Sequence, residues 1–174
     1  MKNAVVFTHN LLAENFAKTA HGLLRGTDRF NIIAVIDSLH YGKDAGEVLD
    51  GKKTNIPVYK SVAEFVNASE IKAELCIVGV AFPGGVLPKE CREELIEAIK
   101  FKFSIVSGLH HYLSEDSDFV ALAKQHSVQL IDIRKPKAIS DLRFWSGKIL
   151  DINIPIIAVL GTCLLYTSPS PRDG

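Results

Sequence analysis

A histidine in a short glycine-containing loop is well suited to move a proton near neutral pH, and Ser107-Gly108-Leu109-His110 supplies one. His110 is therefore the candidate general base, with a loop histidine of no chemical role as the alternative. Arg134-Lys135 offers guanidinium and ammonium donors for a carboxylate or phosphate. Asp37 closes the run NIIAVI, where dinucleotide-binding domains place the acid that accepts from a ribose hydroxyl. A turn or cap aspartate is the equal alternative. Lys18, His21 and Arg25 recur at i, i+3 and i+7, so they share one helical face that could grip an anion or simply face water. Pro83-Gly84-Gly85 permits a tight turn with exposed amides, either an anion-binding concavity or a plain connection. Cys76, Cys91 and Cys163 show no CxxC, and His9, His40 and His126 have no ligand spacing. No metal site is expected.

The elements that would position these residues follow from periodicity. Ala4–Thr8 reads as a strand, and Phe16, Ala20, Leu23 and Leu24 form a helical stripe stopped by Gly26. Asn31–Asp37 is too continuously apolar to be half exposed, as a parallel strand covered on both faces requires. After a polar loop come a short strand at 56–59 and a helix capped by Ser61. A strand at 74–80 precedes a helix opened by Pro88, a strand at 103–106 precedes a helix capped by Ser114, and 128–133 is a sixth strand. Such alternation predicts an α/β fold with a doubly wound, parallel sheet, whose ligand loops follow the strands on one rim. The turn THNLLAENF after the first strand lacks G-x-G-x-x-G, which argues against ordinary NAD(P) binding.

Residues 1–136 are expected to form this domain, and 137–153 an interdomain segment. IPIIAVLGT at 154–162 reads as the first strand of a P-loop domain that is then cut short. The stretch CLLYTSPSPRD resembles a translated sequencing adapter, so 163–174 is expected to be non-native. Twenty Lys plus Arg balance twenty Asp plus Glu, leaving no field to draw the chain to nucleic acid or an anionic membrane. With no signal-peptide pattern and no run of about 18 apolar residues, a cytoplasmic protein is expected. A homo-oligomer is one assembly the pattern allows.

Taken together, AKTAHGLLRGTDRF, AVIDS, GKDAGEVLDG, VGVAFPGGVLP, VSGLHHYLSED, DIRKP and VLGT resemble the two-domain family of unknown function sixteen-eleven. That resemblance implies a Rossmann-like N-terminal domain joined to a P-loop domain. On matching positions it implies ligand-binding roles for Lys18, Arg25, Asp37, Lys43, Asp44, Gly46, Pro83, Gly84, Gly85, Ser107, Gly108, Arg134 and Lys135. One branch of the family is similar to D-glutamate N-acetyltransferase. The function then expected is an amino-acid N-acyltransferase, with acetyl-CoA or ATP held mainly by the P-loop half and an acidic amino acid as the small-molecule substrate. The 174-residue chain by itself is expected to be inactive. An NAD(P)-dependent oxidoreductase or epimerase, and a non-catalytic metabolite-sensing module, are the alternatives.

Overall fold

The computed structural model describes residues 1–82 and 85–155. β1 (Lys2–Phe7), β2 (Phe30–Ile36), β3 (Val58–Tyr59), β4 (Leu75–Val78), β5 (Ser104–Ser107) and β6 (Leu130–Asp132) form one sheet in the order β3-β2-β1-β4-β5-β6. Every pairing is parallel. The central strands explain the apolar runs: Ala4 to Phe7 of β1 and all of β4 are buried, because helices cover both faces. At the margin β6 is only partly covered, and Ile131 is exposed. Between strands lie α1 (Lys18–Arg25), α2 (Ala45–Asp50), α3 (Val62–Ala68), α4 (Lys89–Lys100) and α5 (Ser117–His126). Phe7, Leu95, Ile99, Ile105 and Phe119 are among the fully buried side chains of the core.

Two local expectations are corrected. The polar stretch after β2 holds α2, whose six residues are too few to show a period in sequence. Asp44 caps it by accepting from the amides of Gly46 and Glu47, and Gly51 ends it at φ 67°. The cap of α5 is Asp116, which accepts from Asp118 and Phe119, and not Ser114. Ser114 lies in a preceding 3-10 turn, where its amide donates to Asp132 at 2.8 Å.

Asp116 also ties α5 to α4. Arg92 donates to both its oxygens, at 2.5 and 2.8 Å, and to Asp118 at 2.8 Å, with the guanidinium 4.6 Å over the Phe119 ring. The Arg92 hydrogen bond holds the Asp116 carboxyl well below the usual carboxylate range. A depressed folded-state value stabilises the fold above the ordinary carboxylate pKa, and this contribution is lost as acidification carries the pH down to the folded value. Arg92→Met is therefore expected to be less stable than the parent chain at neutral pH, with the gap closing below about pH 4. Urea unfolding at a series of pH values checks this.

The chain divides into two compact units, Met1–Pro136 and Lys137–Gly174. Within the second, the described residues form two 3-10 turns, Ile139–Asp141 and Lys148–Asp151. From residue 156 onward, the strand expected at 154–162 and the tail at 163–174 lie outside the described residues. Among the described residues, no helix is long and apolar enough to cross a membrane.

Candidate functional site

A parallel sheet brings all its strand ends to one edge, and the loops after β1, β2, β4, β5 and β6 carry the polar groups gathered there. Carboxylates fasten the two flanks, one buried and one half-buried. At the end of β2, Asp37 is 1% exposed. Its Oδ2 accepts from the Thr8 hydroxyl at 2.7 Å and the Leu12 amide at 3.0 Å. Its Oδ1 accepts from the amide and Nδ1 of His40, at 3.1 and 2.8 Å. A carboxylate has about four acceptor sites, and here the protein itself fills them. At the end of β6, Asp132 accepts from the amides of Leu113 and Ser114, at 3.1 and 2.8 Å, which fixes the loop after β5.

Between these flanks, the turn after β1 places His9 with Nδ1 3.2 Å from Glu94 Oε1 on α4. Burial pushes the Glu94 carboxyl above its usual range, while His9 pulls the other way. Glu90, Glu93 and Glu97 accompany Glu94 at helical spacing and line a pocket with it, making this face strongly acidic. Gly79, just beyond β4, allows α1 to approach: the Ala20 amide donates to its carbonyl at 3.0 Å.

On the far flank, Ser107 is buried with its hydroxyl accepting from the Leu109 amide at 3.2 Å. His110 is exposed, and Gly85, at φ 69°, leaves room for it, since a Cβ there would lie 3.0 Å from the His110 Cβ. Arg134 is exposed, and its Nε donates to the Gly108 carbonyl at 2.6 Å. Lys135 is shared between Ser114 at 3.0 Å and Glu115 at 3.1 Å. Pro83 and Gly84 lie outside the described residues.

The remaining expected residues fall into other settings. Lys18 is exposed at the start of α1, His21 bonds the Leu12 carbonyl at 2.7 Å, and Arg25 makes a two-point pair with Asp50 of α2, at 3.0 and 2.7 Å. Their shared face does not converge on one anion. Asp44 is a loop clamp: besides capping α2 it accepts from the amides of Thr54 and Ile56, at 2.9 and 3.0 Å. These amides hold its carboxyl below the usual range against the opposing effect of burial. Gly46 is required by space, since a Cβ would meet the Lys52 carbonyl at 2.4 Å, and Lys43 is exposed beside it. Cys76 and Cys91 are buried, and desolvation pushes both thiols up to about 12, which removes them as nucleophiles near neutrality. His9 and Glu94 escape a reading by motif, because neither spacing nor composition pairs residues 85 positions apart.

A parallel sheet ordered β3-β2-β1-β4-β5-β6, with helices on both faces and polar loops at its carboxyl edge, defines a Rossmann-like domain. Residues 38–136 match the family described as a Rossmann-like domain of unknown function, DUF1611_N. The chain belongs to this family. It is 39% identical over 69 residues to a D-glutamate N-acetyltransferase from a Pseudoalteromonas species, covering 40% of this chain and 21% of that protein. A D-glutamate N-acetyltransferase from Tritonibacter scottomollicae is 31% identical over 88 residues, covering 51% and 26%. The matched stretches thus span about a quarter or less of these curated relatives. The crystal structure of a DUF1611 family protein from Anabaena variabilis aligns with TM-score 0.75 and 28% identity, over 87% of this chain and 42% of that one. A dehydrogenase from Chromobacterium violaceum, at TM-score 0.50 and 14% identity over 74% and 34%, shares the fold alone.

Proposed function

We propose that this domain holds the amino-acid substrate of an N-acyltransferase of the D-glutamate N-acetyltransferase kind. The carrying observation is the polarity of the rim beside the curated relatives' names: glutamates at the start of α4 on one side, Arg134 on the other. An α-amino diacid has matching ends, an ammonium group for the acidic face and a side-chain carboxylate for the guanidinium. Acetyl-CoA would be the acetyl donor. A nicotinamide reading has less support, because Asp37 directs every acceptor site inward.

The test is release of free CoA thiol from acetyl-CoA by the full-length protein, with a panel of D-amino acids. Thiol release with D-glutamate, above that with neutral D-amino acids, is the expected result. No release above background with any member of the panel overturns the reading. Loss of one charge-assisted contact, at about 1.5–3 kcal/mol, sets the scale for Arg134→Ala. Its kcat/KM for D-glutamate is expected to fall by roughly 10–100-fold, mainly through KM.

A further inference from the structure

The turn leaving β1 lies where chain order reverses, since β1 has β2 on one side and β4 on the other. Ligands of open parallel sheets settle in the crevice at that point. Two successive residues there, His9 and Asn10, have left-handed backbones, with φ of 45° and 65°. Such strain in residues other than glycine collects at ligand-binding turns. Asn10 has a structural use, because its Oδ1 accepts from the Ser38 hydroxyl at 2.6 Å and the Leu39 amide at 2.9 Å. His9 instead directs Nδ1 at Glu94, places its ring against Phe7 and Phe82, and keeps 23% of its side chain exposed. An ionised Glu94 only accepts, which in the neutral imidazole assigns the proton to Nδ1 and the lone pair to Nε2.

His110, on the loop after β5, lies nearer Arg134, but among the described residues no carboxylate orients its ring as Glu94 orients that of His9, and distance separates His9 from His40. His40 is paired in the same way with Asp37, but β2 is four strand spacings from β6, roughly 19 Å, whereas β1 is three spacings away, roughly 14 Å. A diacid held at its far end by Arg134 is short beside either span, which favours the nearer of these two histidines. We propose that His9 takes the proton from the substrate amine and that Glu94 is its positioning residue, an inference resting on the acyl-transfer reading above. The ammonium group first releases one proton to solvent. The amine lone pair then attacks the thioester carbonyl carbon, a C–N bond forms, and the nitrogen's second proton passes to His9 Nε2. The C–S bond breaks with its electron pair on sulfur, and the thiolate takes that proton from His9.

His9→Asn tests this with the turn preserved, since asparagine tolerates a left-handed backbone. In the full-length protein, kcat is expected to fall about 100-fold, the lower range for general base catalysis, with KM for D-glutamate within about threefold. Glu94→Ala should lower kcat about tenfold and replace the single Nδ1-protonated form of His9 by a mixture in long-range proton–nitrogen NMR; Glu94→Gln, still an acceptor, should restore that form. A parent spectrum with the proton on Nε2 overturns the inference even if no transfer activity exists to measure. With transfer established, His9→Asn within threefold of the parent while His110→Gln loses 100-fold also overturns it, and leaves the acyltransferase reading standing.

Discussion

Gly79→Ala is expected to destabilise the domain by about 2–3 kcal/mol, at the upper end of the cost of overpacking a core, and Gly79→Val by more. An added Cβ would lie 2.6 Å from Val6 Cγ1, 2.8 Å from Ala20 Cβ and 3.2 Å from the Phe7 carbonyl. None of these can yield cheaply. Val6 and Ala20 are fully buried, the first is β-branched and stiff, and the second has no rotamer to change. Nor is the backbone free to retreat, because Gly79 donates to the Phe7 carbonyl at 2.9 Å and accepts from the Ala20 amide at 3.0 Å. At this domain size the alanine variant should lose roughly 10 °C of melting temperature. Gly22→Ala, on α1 with nothing within 4 Å of its added Cβ, should instead gain about 0.5–1 kcal/mol from helix propensity. A Gly79→Ala midpoint within 2 °C of the parent, measured by thermal unfolding at matched concentration, would contradict the close seating of α1 on β1 and β4.

The central architecture was legible because buried parallel strands leave long apolar runs. Asn31–Asp37 and Glu74–Val80 announce β2 and β4 within a residue or two at most ends, and their alternation with helical stripes predicts the sheet. Short elements were not legible. α2 rests on Asp44 and on Gly51, contacts that a periodicity cannot register over six residues. At the site, position along the chain identified the rim, since every loop named after a parallel strand reaches it. Individual roles were not fixed by position. Asp44 sits in a stretch read as ligand-binding, and its oxygens are taken by amides up to 12 residues away. The His9–Glu94 pair depends on α4 packing beside the β1 turn, which only the assembled tertiary structure shows.

The same inward use of a polar group makes Asp37 the second large effect. Asp37→Ala strips acceptors from the buried Leu12 amide and Thr8 hydroxyl and from the His40 pair at once, a loss of about 3–5 kcal/mol, as when one partner is removed from a buried ionic network. Against a total stability of about 5–15 kcal/mol that is a large share. Asp37→Asn is the sharper variant. Both carboxylate oxygens face two donors each, so whichever way the amide is turned, its NH₂ group meets N–H or O–H groups where an acceptor is needed. The asparagine variant should therefore lose at least about 2 kcal/mol in urea unfolding of the ligand-free chain. An acid reserved for a ribose hydroxyl predicts the opposite, a stable asparagine variant with only its dinucleotide affinity impaired. Retention of parental stability by Asp37→Asn would mean that the carboxylate is free at the rim, and would return the nicotinamide reading to contention.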